Sequence, residues 1–376
     1  MISLLVGLKN NLDYNKNFYE TTRKIYPNVE ICFVSYGSTD GTHEWLDELE
    51  DENIKYFYSK ESKTFSETFN KAAEIATKKY VAYLHNDIVL TPGFLENLEK
   101  HLAESNVVSY TTIEPPIFAG HERPGKIIKD FGSSLEKFNF ELLNEFSRNR
   151  QKHNVNKTEP GITFFMCMPR QKLLEIGGMD SLYNPMFCED DDLIRRWKML
   201  GMNCFTSLDS ICYHFVSKTS RFSDEYLNIS KEIELRSNRN YIRKWGSKSD
   251  APKYSKSLVL TNTNSNILYY LEPWFDRVYV DQVLIEEYIN REQINTSFEL
   301  SQKILPNQIN ISDDIVVRLD CNNINQETFN LIQKLSEIIK DSGEIGTFKL
   351  GNLTIEINSL QEYQNDLIFI NNNQHK

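Results

Sequence analysis

Short apolar runs alternate with amphipathic stretches along the first hundred residues of the chain. The runs at residues 2–8, 29–34, 54–58 and 80–84 predict four buried strands. Between them, apolar residues recur at helical spacing, as they do in residues 65–77. Strands that alternate with helices at this spacing indicate an α/β fold with a mostly parallel sheet flanked by helices.

The alternation of strands and helices becomes less regular after residue 110, and a second alternating region begins near residue 250. In the first part we expect a strand at 161–168, helices at 170–176, 193–200 and 225–245, and strands at 203–207 and 211–215. The polar stretch 246–256 has the composition of a linker. Beyond it we expect strands at 257–260, 267–270, 277–280, 315–319, near 348 and at 353–357, with a helix over 326–340. The chain is therefore predicted to have two domains, residues 1–250 and a smaller α/β domain at 251–376.

Polar side chains follow three of the predicted strands directly. In an open sheet of this kind, ligands bind at the carboxyl ends of the strands. The sequence therefore predicts a site built from these clusters. They are Lys9 and Asn10; Ser35, Tyr36 and Gly37; and His85, Asn86 and Asp87.

The strongest chemical signal is a run of four acids, Glu189, Asp190, Asp191 and Asp192, ahead of a helix. One or two carboxylates would cap the helix and offset its dipole. Four adjacent carboxylates repel one another and exceed that need. They indicate a general base whose neighbours raise its pKa or bind hydroxyl groups.

Two further residues could bind a cation. Asp87 ends a buried strand, and its alternative role as the cap of a helix near Pro92 is weakened by a spacing of five residues. His214 lies among aromatic residues. From the residues alone, it remains open whether His214 is a metal ligand or a buried core residue.

Composition narrows the class of protein. The chain has 376 residues and a formal net charge of −11, which argues against nucleic acid as a partner. A divalent cation could still bridge carboxylates to a diphosphate. Six cysteines without a CxxC pair indicate free thiols in a reducing compartment. The first apolar run is too short for a signal segment, and no run reaches the roughly 18 residues of a membrane span, so we expect a cytoplasmic protein.

The order of these motifs resembles that of family 2 glycosyltransferases, which have the GT-A fold, over about the first 250 residues. The segments that carry the resemblance are residues 29–42, Asn70, residues 84–95, residues 177–180 followed by 189–193, Tyr213 with His214, and residues 238–246. The first resembles the family's second-strand motif, 84–95 its DxD variant, and 189–193 its acceptor-side acidic motif.

The resemblance implies an inverting, metal-dependent transfer of a sugar from a nucleotide-sugar. Asp87 and His214 would hold Mn²⁺ or Mg²⁺, and Asp190, with Glu189, would be catalytic, taking a proton from the acceptor hydroxyl. Glu189 and Asp191 would also bind the acceptor. The residues expected at the nucleotide-sugar are Lys9, Ser35, Tyr36, Gly37, Asn70, His85, Asn86 and Asp87.

Two positions depart from the family pattern. Ser35 replaces an Asp that reads the base, and His85 replaces the first Asp of the DxD motif. A degenerate GT-A module that binds a glycan without transferring it is therefore the alternative. A nucleotidyltransferase is disfavoured because residues 7–12 lack a glycine-rich basic loop.

The expected partners are a nucleoside-diphosphate sugar and a glycan, lipid-linked or protein acceptor, with no nucleic acid. Peripheral membrane contact and homo-oligomer formation stay open. The C-terminal domain faintly resembles the later half of a Rossmann-like methyltransferase without its glycine-rich loop. We interpret it as an accessory domain for acceptor binding or oligomerisation.

Overall fold

The computed structural model describes residues 1–117, 121–216, 226–308 and 311–370. The chain separates into two compact units, Met1–Lys231 and Glu232–Lys376. The predicted division at residue 250 thus falls nineteen residues after the observed one. The difference arises at the helix Ser230–Trp245, whose buried side chains Arg239 and Arg243 form ion pairs inside the second unit.

The first unit contains a ten-stranded mixed sheet. Its strands are β1 (Ile2–Leu8), β2 (Glu30–Tyr36), β3 (Ile54–Ser59), β4 (Tyr80–His85), β5 (Ile88–Leu90), β6 (Asn106–Glu114), β7 (Lys126–Ile128), β8 (Thr158–Pro160), β9 (Met166–Pro169) and β10 (Asn203–His214). The main order is β3-β2-β1-β4-β9-β6-β10-β5, with β7 beside β6 and β8 beside β10. β1 to β4 pair in parallel, as do β6 and β10, whereas β5, β8 and β9 pair antiparallel.

Helices cover this sheet, and the predicted α/β class is confirmed. They are α1 (Leu12–Ile25), α2 (Thr42–Asp47), α3 (Phe65–Ile75), α4 (Phe94–Glu99), α5 (Phe140–His153), α6 (Arg170–Glu175) and α7 (Glu189–Met199). α3 starts at a capping box, in which Thr64 and Glu67 satisfy each other's backbone N–H groups. Its apolar face buries Phe69, Ala72 and Ala73.

Two strand predictions need correction in this unit. The strand expected at 161–168 is shorter and later, because only Met166–Pro169 pairs with neighbours. The two strands expected at 203–207 and 211–215 form one strand, β10, whose register shifts between Ser207 and Ile211. The buried Asp209 lies in this irregular stretch and accepts hydrogen bonds from Asn156 N and Ser207 Oγ.

The second unit has a smaller six-stranded sheet of its own, as predicted. Its strands are β11 (Lys256–Thr261), β12 (Arg277–Val280), β13 (Ile304–Pro306), β14 (Ile315–Asp320), β15 (Gly346–Leu350) and β16 (Leu353–Ile357), in the order β13-β12-β11-β14-β16-β15. Its helices are α8 (Ser230–Trp245), α9 (Ser265–Leu271), α10 (Gln282–Glu292), α11 (Leu300–Lys303), α12 (Gln326–Gln333) and α13 (Leu335–Ser342).

The segment 267–270, expected as a strand, is instead part of helix α9. A short apolar run does not distinguish the two states, and here Asn264 caps the helix by accepting from Asn266 N and Ile267 N. The helix expected over 326–340 is divided into α12 and α13. Of the helix expected over 225–245, Glu225 lies outside the described residues. Among the described helices, none has the length and apolar character needed to cross a bilayer.

Candidate active site

Sheet pairing brings three predicted site residues to one point. His85 is the last residue of β4, Asp87 directly precedes β5, and His214 is the last residue of β10. β5 pairs antiparallel with β10 so that Ile88 lies opposite His214, and Phe215 N donates to Asp87 O at 3.0 Å. The three side chains therefore converge at the carboxyl ends of β4 and β10.

The geometry of this cluster fits a divalent metal ion. Asp87 Oδ1 lies 3.3 Å from His214 Nε2 and 3.9 Å from His85 Nδ1, and the two nitrogens are 3.5 Å apart. Two ligands bound about 2.1 Å from one ion are separated by about 3.0–3.4 Å, so small side-chain movements would close the set. All three ligand atoms lie within 4.8 Å of one another.

The two histidines have opposite pKa shifts. Burial lowers the pKa of His85 to about 4, more than the charge of Asp87 raises it, so His85 is neutral and its ring nitrogens can bind a metal. Burial also lowers the pKa of His214, but the charges and hydrogen bonds of Asp87 and Glu114 outweigh it and raise the value to about 9. Binding of a metal at His214 would therefore release a proton near neutral pH.

Glu114, the last residue of β6, belongs to this site and was missed by the sequence reasoning. Its Oε1 lies 3.3 Å from His214 Nδ1, and its Oε2 lies 2.6 Å from Lys126 Nζ. Despite burial, the bond to His214 and the charge of Lys126 lower the pKa of Glu114 to about 2. A carboxylate that orients a metal-binding imidazole in this way is a common feature of metal sites. A polar residue at the end of an apolar run was the signal that could have identified it.

A pocket adjoins the cluster, and His85 forms part of its wall. Four of the residues predicted to contact a nucleotide-sugar line it: Lys9, Tyr36, His85 and Asn86. Lys63, which was not predicted, lines it as well. As far as the described residues go, the lining includes two lysines and no carboxylate. Such a wall attracts a phosphate group.

Ser35 and Gly37 have structural roles beside this pocket. The Ser35 hydroxyl is buried, 2.8 Å from Ser38 Oγ and 3.0 Å from His43 Nε2. Gly37 has φ 66°, and a side-chain carbon there would lie 3.0 Å from Lys9 Nζ. The glycine thus leaves room for Lys9 at the pocket.

Asn70 lies in α3, and its amide group holds a turn of the chain. It donates to Met179 O and accepts from Met179 N, both at 2.8 Å. A side-chain carbon added at residue 178 would overlap the Asn70 Oδ1 atom, so residue 178 must be a glycine. These bonds use both ends of the Asn70 amide.

The four acids occupy the first turn of α7, and their environments differ. Glu189 is buried, its Oε2 has no hydrogen-bond partner, and burial followed by the charge of Asp190 raises its pKa far above the usual range. Burial and then Asp191 raise the pKa of Asp190 to about 6. Burial and Asp192 also raise the pKa of Asp191, which lies at the surface. These three acids have the properties of a proton-transfer site.

Asp192 has a structural role instead. It is fully buried, and its Oδ2 lies 2.8 Å from Arg196 Nε, one helical turn later. Its Oδ1 accepts from Tyr183 OH at 3.0 Å. Arg196 also donates to Ile176 O and Gly178 O, so the ion pair holds the glycine turn against α7.

Residues with a left-handed backbone conformation lie just before the four acids and just after His214. Phe187 and Cys188 have φ 75° and 69°, and Val216 has φ 69°. Each such residue costs about 1–2 kcal/mol, and the conformation is rare for a β-branched residue. Strain of this kind is often found at functional sites, and here it adjoins the candidate residues Glu189 and His214.

Comparison with known proteins identifies a family for part of the N-terminal unit. Residues 3–177 match the family model described as Glycosyl transferase family 2. These residues are therefore similar to family 2 glycosyltransferases, and the resemblance inferred from the sequence is confirmed over this segment. The acids of α7 and His214 lie beyond the matched residues. No curated protein matches the chain by sequence.

Several solved structures are similar to the chain at low identity. The mannosyltransferase PcManGT from Pyrobaculum calidifontis, in complex with GDP-Man and Mn²⁺, is 18% identical with a TM-score of 0.43, over 65% of this chain and 63% of that one. GalNAc-T7 with UDP, GalNAc and Mn²⁺ is 13% identical with a TM-score of 0.47, over 65% and 48%. S. aureus TarS 1–349 is 12% identical with a TM-score of 0.44, over 96% and 98%. The chain thus spans less than two thirds of the length of PcManGT and of GalNAc-T7.

Proposed function

We propose that the protein is a metal-dependent, inverting glycosyltransferase that moves a sugar from a nucleoside-diphosphate sugar to a hydroxyl group of an acceptor. The observation that carries the proposal is the set of His85, Asp87 and His214, in which Asp87 and His214 are buried and His85 forms part of the wall of the lysine-lined pocket. The family 2 match of residues 3–177 supports it.

His85, Asp87 and His214 would hold the cation. Because two of the three ligands are imidazoles, we expect Mn²⁺ to bind more tightly than Mg²⁺, which prefers oxygen ligands. A cation bound there would act as a Lewis acid that stabilises the departing nucleoside diphosphate. Lys9 and Lys63 would bind the diphosphate from the pocket wall.

Asp190 is the proposed general base. With a pKa near 6 it is ionised at neutral pH, and it would take the proton of the acceptor hydroxyl as that oxygen attacks the anomeric carbon. In this single displacement, the bond from the anomeric carbon to the acceptor oxygen forms as the bond to the diphosphate oxygen breaks. Glu189, whose raised pKa keeps it protonated, would donate a hydrogen bond to the acceptor.

Base recognition would differ from the family pattern. Ser35 is turned into the protein, so we assign contact with the base to Tyr36, which lines the pocket and packs 5.7 Å from the Phe57 ring. Stacking on an aromatic ring discriminates weakly between bases. We therefore expect the donor site to accept more than one base.

A panel of UDP-, GDP- and dTDP-sugars with and without Mn²⁺ tests the proposal. We expect turnover of at least one donor that requires the metal, and metal-dependent thermal stabilisation by the matching nucleotide diphosphate. The buried Ser35 and the His85 substitution favour a second candidate, a glycan-binding module without transfer activity. That candidate predicts no stabilisation by any nucleotide diphosphate with metal.

A further inference from the structure

A second cavity lies entirely within the C-terminal unit, to which the proposed transfer assigns no role. Its volume is about 510 Å³, within the range of about 300–1,000 Å³ that is typical of small-molecule pockets. The charged side chains in its wall are four cations and two carboxylates: Arg243, Lys253, Arg277, Lys303, Asp276 and Glu299. The wall is therefore positive, although the chain as a whole has a net charge of −11.

Behind this wall, three buried cations share two buried carboxylates. Arg243 Nη2 lies 2.7 Å from Glu272 Oε2 and 2.6 Å from Glu292 Oε1. Lys303 Nζ lies 2.9 Å from Glu272 Oε1, and Arg239 Nη2 lies 2.9 Å from Glu292 Oε1. Among these five side chains, the cations therefore outnumber the carboxylates by one.

A second cationic group adjoins the first. Lys253 Nζ lies 2.6 Å from Asp276 Oδ1, and the charges of these two side chains balance each other. Lys256 is also buried, and its ammonium group donates to neutral partners, Gly246 O at 2.8 Å and Ser336 Oγ at 2.7 Å. A side-chain carbon on Gly246 would lie 3.4 Å from Lys253 Nζ and 3.6 Å from Lys256 Nζ, so the two ammonium groups flank the same glycine.

The neighbouring ammonium groups of Lys253, Lys256 and Lys303 repel one another. Burial and then the charge of Lys253 lower the pKa of Lys256 to about 7, and Lys303 acts in the same direction. Burial lowers the pKa of Lys303 as well. An anion in the cavity would offset this repulsion, because it would bring negative charge next to the ammonium groups.

We propose that this cavity binds a small ligand through a phosphate group, with Lys253 and Lys303 as its principal contacts. A phosphate carries close to two negative charges near neutral pH and offers several acceptor oxygens, which matches the excess of cations better than a single carboxylate does. Ser255, Gln302 and Tyr363 add neutral hydrogen-bonding groups to the wall. The ligand can therefore be free phosphate or a phosphate ester with hydroxyl groups, such as a sugar phosphate.

Calorimetric titration of the full chain with inorganic phosphate, at constant ionic strength and without metal, tests the proposal. We expect saturable binding that weakens about tenfold or more in Lys303→Gln and in Lys253→Gln, since each change removes a charged hydrogen-bond donor. The matched control is Lys349→Gln, an exposed lysine of β15 outside the cavity wall, which should leave this binding unchanged. Binding that is kept in Lys303→Gln but lost in Lys9→Met would place the phosphate in the N-terminal pocket and overturn the proposal.

Arg277→Gln keeps the test decisive if the buried variants unfold. Arg277 is half-exposed and pairs with Asp313 at the rim, so its replacement should leave the fold intact and still weaken phosphate binding severalfold. Glucose 1-phosphate and inorganic phosphate are compared to assign the ligand to an ester or to the free ion. Acetate that binds as tightly as phosphate, or no saturable heat with wild-type protein, would refute a phosphate site.

Discussion

Asp190→Asn should slow transfer by orders of magnitude and at the same time stabilise the fold. Burial and the charge of Asp191 raise the pKa of Asp190 from 3.8 to about 6, so the ionised carboxylate destabilises the folded state at neutral pH. A rise of about two pKa units corresponds to a loss of about 3 kcal/mol in the free energy of unfolding when the group is ionised. Asn has nearly the same shape without the charge, but it is a weaker acceptor for the N–H groups of the first helical turn. We therefore expect a net gain of about 1–3 kcal/mol at pH 7.5.

The stability gained in Asp190→Asn should depend on pH. Because the pKa of Asp190 is higher in the folded state than in the unfolded state, the folded form binds the proton more tightly. The penalty is fully present above about pH 6 and disappears as the pH falls toward the unfolded value near 4. Urea denaturation of both proteins at pH 7.5 and pH 4 should therefore show a gain for Asp190→Asn that is large at pH 7.5 and small at pH 4.

Asp192→Asn is the matched control two residues away. Its carboxylate is fully buried against Arg196, so the change leaves an unbalanced buried guanidinium and should destabilise the fold by about 3–5 kcal/mol. In a metal-dependent transfer assay, Asp190→Asn should lose about 10²–10⁴-fold in rate. Wild-type activity should be half-maximal near pH 6, reach a plateau above about pH 7 and be roughly tenfold lower at pH 5. An Asp190→Asn protein that keeps full activity, or that is less stable than wild type at pH 7.5, would refute this reasoning.

Three further predictions concern separate parts of the chain. Glu114→Gln removes the charge that orients His214 and should weaken Mn²⁺ binding about 10–100-fold by calorimetry; unchanged affinity would exclude Glu114 from the metal site. Gly178→Ala would place a methyl group against the Asn70 amide and should cost about 2 kcal/mol or more in urea denaturation, whereas wild-type stability would mean that the turn relaxes freely. Arg243→Met leaves two buried carboxylates with less positive charge and should cost about 3–5 kcal/mol, a loss that is absent if this network adds no stability.

Much of the candidate site in the N-terminal unit could be predicted because it depends on local pattern. Residues 80–84 are apolar and the next three are polar, which predicted both the buried strand and a functional end at Asp87. Four adjacent acids stood out because a helix N-terminus does not need so many. The family match confirms the class of protein that these motifs indicated.

Local pattern was insufficient where a short apolar run fits two structures. The run at 267–270 was predicted as a strand, yet Asn264 caps it as a helix. The end of the first unit was placed too late for a related reason. α8 has a mixed sequence, and its membership of the second unit follows from Arg239 and Arg243, whose carboxylate partners lie some 30–50 residues further along the chain.

The amino-acid sequence by itself determined the strand-helix alternation, the polar strand ends and the identity of the acidic residues, because these depend on neighbours along the chain. Only the tertiary structure decided which of those residues act together. Glu114 meets His214 because β6 and β10 pair across a gap of 100 residues. Asp192 differs from Asp190 because Arg196 balances its buried charge, whereas burial and then the charge of Asp191 raise the pKa of Asp190. Pairing and burial set the pKa values and the metal geometry, and neither can be read from the order of residues alone.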